Sequence, residues 1–300
     1  MMNILVIRPG AIGDALIAFP TLYALRTKYG AKRITFVSNA SVLPLAQAWK
    51  LANEVSDFQD TQWSELFSTA GIRNSGLREL MAATDMAICW LSDPEHLVER
   101  NLRQAGVKKI IVAPGRPPEH SYEHVAEYLA RTVRIPAKQV RAWHPALPPA
   151  PRADKTIAIH PGSGSERKNW PIASFAEIIK TLWQEKYAVL LLAGPAEEQK
   201  IAYLETHLTP PPGLYRTLVN APLLEISQQL RQCKGYLGND SGITHLAAML
   251  GIPTVAIFGS TSRTSNWEPL GRHVDIIQQP DLNFLTPYIV MAIMRADFRM

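Results

Sequence analysis

Short β-branched or apolar runs alternate with longer amphipathic runs along most of this chain, and no other feature constrains its fold as strongly. Each short run predicts a strand and each longer run predicts a helix, which together indicate parallel α/β layers. The predicted strands are residues 3–8, 33–37, 86–90 and 109–112 in the first half, and 156–160, 188–193, 254–258 and a strand near Gly235 in the second.

A proline-rich segment separates the two halves. Residues 145–151 contain four prolines, which continue neither a helix nor a strand. Because 300 residues exceed one typical core, we expect two Rossmann-like α/β/α domains, 1–143 and 156–283, joined by a linker at 144–155. A central cleft is expected between them. The last helix, within 284–300, is expected to pack back on the N-terminal domain.

The composition narrows the class of protein. A hydrophobic content of 47% and a charged content of 19% are typical of a soluble globular chain. The net charge of +5 is not clustered, so no nucleic-acid partner is expected; it fits an anionic substrate or an anionic membrane face. Cys89 and Cys233 predict buried, reduced thiols. No run predicts an export signal or a membrane-spanning helix.

The most informative motif is GNDSGITH at residues 238–245, between a predicted strand and a predicted helix. A helix start offers unpaired amides and a positive dipole end, which together bind phosphate. The Ser241 and Gly242 amides are the better candidates, because the Asp240 carboxylate repels phosphate unless it is neutralised or turned away. Asp240 is alternatively a helix cap, and His245 lies either in the same pocket or in the core.

A second motif, RPGAIGD at residues 8–14, leaves the first predicted strand. Gly10 and Gly13 allow a tight turn and a close approach of the backbone to a ligand. Asp14 then lies at a helix start, where two interpretations stay open. It either caps the helix, or it points into the cleft as a carboxylate that accepts a proton from an attacking hydroxyl.

A third motif, HPGSGSERKNWP at residues 160–171, also follows a predicted strand. Its amides and hydroxyls could hold phosphate oxygens beside two basic side chains, and the alternative is a solvated surface loop. The candidate residues are Gly162, Ser163, Gly164, Ser165, Arg167 and Lys168.

Acidic residues at another predicted strand-to-helix junction form the fourth candidate. Glu197 and Glu198 are either favoured by the helix dipole alone or accept hydrogen bonds from ribose or sugar hydroxyls. The chain has no D-x-D, C-x-x-C or H-E-x-x-H motif, and His120 with His124 is a weak metal signal. No metal is therefore expected, and positive side chains with helix N-termini would meet the charge of a leaving group.

These segments, in this order, resemble glycosyltransferase family 9, the ADP-heptose lipopolysaccharide heptosyltransferases. The run GIPTVAIFGST at residues 251–261 is similar to that family as well. The resemblance covers roughly residues 1–30 and 156–271, and the G-N-D-S-G-x-x-H segment with its flanks is its most specific part.

The resemblance implies a GT-B fold and an inverting, metal-independent transfer of heptose from ADP-L-glycero-D-manno-heptose to an inner-core lipopolysaccharide or related glycan acceptor. It implies an acceptor-binding N-terminal domain, a donor-binding C-terminal domain, no cofactor, and a cytoplasmic location with peripheral contact to the inner membrane left open. By matching position, Asp14 is implied as the catalytic base and Lys168 as the neutraliser of the donor phosphates. The implied donor contacts are Ser163, Ser165, Asp240, Ser241, Gly242, His245 and, in preference to Glu197, Glu198.

The acceptor is the least constrained part. Residues 57–78 contain only two basic side chains, Arg73 and Arg78. A site that binds a phosphorylated lipid is expected to have more basic side chains than this. Another nucleotide-sugar, a non-lipopolysaccharide acceptor, or a nucleotide-sugar 2-epimerase of the same architecture stays open. A nucleotide-sensing or nucleic-acid-binding module is disfavoured, because basic residues do not cluster with interleaved aromatics.

Overall fold

A computed structural model describes residues 2–150 and 155–300. The chain divides into two compact units, Met1–Trp143 and His144–Met300. Residues 151–154 of the predicted linker lie outside the described residues. Residues 144–150 form neither helix nor strand, as their prolines predict.

The first unit is a five-stranded parallel sheet, in the order β3-β2-β1-β4-β5, with helices between its strands. The strands are β1 (Met2–Arg8), β2 (Ala31–Ser38), β3 (Glu54–Asp57), β4 (Met86–Trp90) and β5 (Lys109–Ala113). The α-helices are α1 (Ile12–Ile17), α2 (Phe19–Tyr29), α3 (Leu43–Ala48), α4 (Ser75–Ala82), α5 (Leu97–Gln104), α6 (Val125–Thr132) and α7 (Ala137–Arg141), with 3-10 turns at Ala40–Val42 and Thr61–Phe67.

The second unit is a six-stranded parallel sheet, in the order β11-β10-β9-β6-β7-β8. The strands are β6 (Thr156–His160), β7 (Ala188–Ala193), β8 (Tyr215–Val219), β9 (Gly235–Asn239), β10 (Thr254–Phe258) and β11 (Val274–Gln278). The α-helices are α8 (Ile172–Gln184), α9 (Glu198–His207), α10 (Leu223–Leu230), α11 (Gly242–Met249), α12 (Thr264–Trp267) and α13 (Pro287–Asp297), with 3-10 turns at Glu166–Lys168, Pro195–Glu197 and Leu282–Phe284.

Each sheet reverses its strand order at one point, between β1 and β4 in the first unit and between β6 and β9 in the second. The segments that follow these strands leave toward opposite sides, so a crevice opens at the carboxyl ends of the two strands. Residues 8–14 follow β1, and residues 160–171 and 238–245 follow β6 and β9. The three most informative motifs therefore lie at the two crevices.

The central strands are buried on both faces, as parallel sheets covered by helices require. Every residue of β4, β9 and β10 is buried. Cys89 and Cys233 are buried and free, as their apolar context predicts. Within residues 2–150 and 155–300, no helix is long and apolar enough to cross a membrane.

Three edge strands are absent from the predicted set: β3, β8 and β11. Each has exposed residues among half-buried ones, and none has a buried residue. An edge strand covers less apolar surface, and these three lack the continuous apolar run that identified the other strands. The edge strand β5 was predicted because it has such a run, IIVA.

The apolar run over residues 15–29 predicts one helix, and the structure has two helices in this region. Helix α1 ends at Ile17, and α2 begins at Phe19 with Pro20 in its first turn. Proline is favoured in a first turn, where a missing N–H leaves no hydrogen bond unmade, and it breaks a helix interior. The structure thus converts one apolar run into two helices at the residue before the proline.

The C-terminal helix corrects a prediction. We had expected this helix to pack on the N-terminal domain. Helix α13 instead packs against α8 and β10 of its own unit, and its residues Val290, Met291 and Met294 belong to that unit's core. Phe298, just beyond the helix, fills the space above Gly235, where a Cβ would lie 2.6 Å from its ring. An apolar helical face fits any complementary surface, so the pattern alone does not choose the partner.

The end of α13 also holds two carboxyl groups together. Burial, a hydrogen bond with Asp275 and the charge of Asp275 raise the pKa of Asp297 to about 6. The native state therefore binds more protons than the unfolded state between the unfolded pKa, about 4, and about 6. The resulting stabilisation is complete below pH about 4 and is lost as the pH rises through about 6.

We expect Asp297→Asn to stabilise the chain above pH 6 and to make no difference near pH 4. Solvent screening limits the effect to about 1 kcal/mol or less. Thermal unfolding of the full chain from pH 4 to pH 8 measures it, with the exposed Glu177→Gln as the matched control. Equal pH dependence of Asp297→Asn and the wild type would contradict the paired-carboxyl assignment.

Candidate functional site

The loop after β1 presents Asp14 at the first crevice. The chain turns at Gly10, whose φ of +130° lies in the positive-φ region that favours glycine. Helix α1 begins at Ile12, so its N-cap is Ala11 and Asp14 is the third helical residue. Asp14 is thus not the N-cap residue, although its carboxylate does take part in capping.

The Asp14 carboxylate accepts one hydrogen bond on each oxygen. The Ala11 amide donates to Oδ2 over 3.1 Å, and Nη2 of Arg8 donates to Oδ1 over 2.9 Å. The Asp14 side chain stays 31% exposed, whereas that of Arg8 is 5% exposed. Each carboxylate oxygen can accept more than one hydrogen bond. Asp14 can therefore still accept a proton, or a hydrogen bond from a hydroxyl group, on its exposed side.

In the second unit, Asn239 joins the loops that follow β6 and β9. Its side chain is fully buried: Nδ2 donates to the Pro161 carbonyl over 2.9 Å, and Oδ1 accepts from the Trp170 amide over 3.0 Å. Loss of either bond would leave a buried polar group unpaired, which costs about 1–3 kcal/mol. Asn239 therefore fixes both ends of the segment formed by residues 160–171.

A charge pair joins the same two loops. Nζ of Lys168 donates to Oδ2 of Asp240 over 2.7 Å, and the Ser262 hydroxyl donates to the same oxygen. The Asp240 side chain is 8% exposed and that of Lys168 is 33% exposed. The repulsion between Asp240 and a phosphate, which the sequence raised as a difficulty, is thereby reduced.

The start of α11 has the form of an anion site. Ser241 is the N-cap, and its Oγ accepts from the Thr244 amide over 3.3 Å and lies 3.3 Å from Nδ1 of His160. The Gly242 and Ile243 amides belong to the first turn, where the helix supplies no acceptor. Gly242 was a predicted phosphate donor and Ile243 was not. His245 is buried within the same helix.

The Gly/Ser loop closes on itself. The Ser163 hydroxyl donates to the Ser165 carbonyl over 2.8 Å and accepts from the Ser165 amide over 3.2 Å. Ser163 is 8% exposed, whereas Gly164, Ser165 and Arg167 are exposed. Ser163 therefore shapes the loop, and the next residues are the ones open to a ligand.

Glu197 and Glu198 have different environments. Glu197 is buried, its Oε2 accepts from the Gly194 amide over 2.7 Å, and a Cβ on Gly162 would lie 1.9 Å from its Oε1. Burial acts to raise the pKa of Glu197, but His160, the Gly194 amide and Lys200 together bring it below the ordinary value. Glu198 is exposed.

The metal signal from His120 and His124 is explained in part by helix capping. Nδ1 of His124 accepts from the Ala126 amide over 3.1 Å and caps α6. Among the residues that the structure describes, no three His, Cys, Asp or Glu side chains form a group that could hold a metal. The expectation of a metal-independent reaction stays a prediction.

The sequence did not identify three residues that organise these sites: Arg8 beneath Asp14, His160 beside Ser241, and Asn239 between the loops. All three are buried polar residues, and each is the last residue of its strand. A polar residue that ends a buried strand is the signal that could have found them.

Comparison with known proteins agrees with this geometry. Lipooligosaccharide heptosyltransferase 2 of Campylobacter jejuni is 21% identical to the chain, over 95% of this chain and 92% of that protein. Among solved structures, E. coli ADP-heptose lps heptosyltransferase II matches with a TM-score of 0.77 at 21% identity and covers 99% of both chains. E. coli heptosyltransferase WaaC with ADP matches with a TM-score of 0.72 at 16% identity, over 99% of this chain and 100% of that one.

The structural likenesses confirm the predicted GT-B fold of two parallel-sheet α/β units. Residues 118–284, more than half of the chain, match the family model described as glycosyltransferase family 9 (heptosyltransferase). The match includes β6 through β11, with the Lys168–Asp240 pair and the start of α11. The protein is a glycosyltransferase enzyme, and it belongs to glycosyltransferase family 9.

Proposed function

We propose that this enzyme transfers a heptose from ADP-L-glycero-D-manno-heptose to an inner-core lipopolysaccharide or related glycan acceptor, with inversion at the anomeric carbon. The observation that carries the proposal is the Lys168–Asp240 pair beside the start of α11, within the segment that matches the family model. The three proteins compared above are named as heptosyltransferases, and the structure of one of them contains ADP.

Positive groups of the second unit hold the donor diphosphate in this proposal. Lys168 is one-third exposed, so its ammonium is open to a phosphate oxygen while Asp240 orients it. The Gly242 and Ile243 amides, the Ser241 N-cap region and the exposed Ser165 complete the cradle. These groups stabilise the charge that develops on ADP as it leaves, and we propose that no metal is needed.

Glu198 is the proposed acidic contact to the ribose or sugar hydroxyls. Its neighbour Glu197 already accepts a hydrogen bond from the Gly194 amide and packs against Gly162. Glu198 begins α9 and is exposed, so its carboxylate is open to hydroxyl donors. Glu197 then acts as a support that holds residues 160–162 and 194 in place, and His245 as a buried part of the α11 scaffold.

Asp14 is the proposed general base. The acceptor oxygen forms a bond to the anomeric carbon, its proton passes to the Asp14 carboxylate, and the bond from that carbon to the ADP oxygen breaks. ADP leaves with the electron pair of the broken bond. The new glycosidic bond to the acceptor thus replaces the bond between the sugar and ADP. The acceptor is a glycan or glycolipid, and we propose that the enzyme meets it at the cytoplasmic face of the inner membrane.

Asp14→Asn should lower the transfer rate by at least about 100-fold, because the amide cannot take the proton. Binding of ADP, measured by its thermal shift, should be unchanged, because the donor groups lie in the other unit. Asp60→Asn, an exposed aspartate of the same unit, is the matched control. Near wild-type transfer by Asp14→Asn would exclude this residue as the base.

A panel of ADP, UDP, GDP and dTDP tests the donor. We expect stabilisation by ADP alone, about 2.7 kcal/mol at a concentration 100 times Kd. Lys168→Met should weaken ADP binding about 10- to 100-fold, and the exposed Lys180→Met should not.

Preference for UDP or GDP would overturn the donor assignment. Incubation of the donor without an acceptor distinguishes the reactions, since an epimerised product would indicate a 2-epimerase. Addition of EDTA should leave transfer unchanged, and a loss restored by a divalent metal would contradict the metal-independent mechanism.

A further inference from the structure

We propose that Arg8 is the positioning residue of the Asp14 carboxylate, and that Gly115 is present to make room for it. This inference rests on the proposed role of Asp14 as the base. Arg8 does not act as a catalytic residue, because its guanidinium is buried beneath Asp14. It acts by fixing where the carboxylate oxygens lie.

Arg8 holds Asp14 at two places. Its Nη2 donates to the carboxylate Oδ1 over 2.9 Å, and its Nε donates to the main-chain carbonyl of Asp14 over 3.2 Å. The Ala11 amide holds the second oxygen, Oδ2. With both oxygens and the backbone restrained, rotation of the carboxylate would break at least one bond.

The backbone of Arg8 is also fixed. Its carbonyl accepts from the Ser38 hydroxyl over 2.6 Å, at the end of the neighbouring strand β2. The side chain therefore starts from the rigid central strand of the sheet and ends at Asp14. Rigid strands position a side chain better than a loop does.

The contacts around Gly115 support the same role for Arg8 independently of its hydrogen bonds. A Cβ at this position would lie 1.9 Å from Nη1 of Arg8 and 3.0 Å from the Trp90 carbonyl. The φ angle of Gly115 lies outside the left-handed region, so its backbone does not require glycine. The missing side chain instead leaves the space that the guanidinium occupies.

The burial of Arg8 argues against capping as its purpose. The Ala11 amide already provides the capping bond, and capping needs no cation. A buried guanidinium loses much of its hydration, and burial accordingly lowers the pKa of Arg8 while Asp14 opposes that change. The role that accounts for a buried guanidinium at Arg8, and for the space that Gly115 leaves for it, is to orient the Asp14 carboxylate.

Two variants of the full-length protein separate position from charge. Arg8→Lys keeps the charge, but one ammonium cannot replace the two-point contact of the guanidinium. Gly115→Ala keeps the arginine and displaces it. For each we expect kcat to fall about 10- to 100-fold, because a misplacement near 1 Å costs about 100-fold. The KM for the donor should stay within about twofold.

Gly76→Ala is the matched control in the same unit, since its Cβ would meet only Asn74 Oδ1, at 3.5 Å. Thermal unfolding followed by circular dichroism gives the folded fraction of each variant, because ADP binding reports only on the second unit, and kcat is corrected for it. Wild-type kcat per folded molecule in both variants would overturn the proposal, as would an equal rise in KM with kcat unchanged.

A measurement without turnover keeps this test apart from that of the base. In a double-mutant cycle on Tm, Arg8→Lys and Asp14→Asn should be non-additive, because they share one contact. Additive Tm shifts would overturn the positioning role. Non-additive shifts together with near wild-type transfer by Asp14→Asn would retain the contact and reject the base, so the two failures are distinguishable.

Discussion

The reversal of strand order at the centre of each sheet is the constraint on which the rest of this structure depends. Strands β1 and β4 are neighbours in the first unit, and β6 and β9 are neighbours in the second. The chain leaves each pair of strands toward opposite sides, so their carboxyl ends are open to a ligand. Asp14 follows β1, and the segments with Lys168 and Ser241 follow β6 and β9.

Each crevice is organised by buried polar side chains. In the first unit a buried arginine holds the carboxylate of Asp14, and in the second a buried asparagine joins two loops. Lys168 and Asp240 differ, since the aspartate is buried and the lysine is partly exposed. Buried polar groups keep a fixed geometry because loss of any bond leaves a desolvated group unpaired. The groups open to a ligand are thus held by groups that are not.

The sequence predicted the central strands and the edge strand β5 but missed β3, β8 and β11, because these three edge strands lack a continuous apolar run. It placed Asp14, Lys168 and Ser241 at strand ends through their motifs, and the family resemblance is confirmed by the match over residues 118–284. It did not predict Arg8 as a partner of Asp14. That pairing depends on the path of a long side chain and on a gap at Gly115, distant in sequence.

By itself, the sequence determined the class of fold, the family and the segments that form the crevices, because these follow from local periodicity and short motifs. Only the tertiary structure decided that Glu197 is buried while Glu198 is exposed, that Asp240 is paired with Lys168, and that α13 packs on its own unit. Such choices depend on which surfaces meet and which charges are desolvated. Contacts between residues far apart in the chain set both, and no local pattern records them.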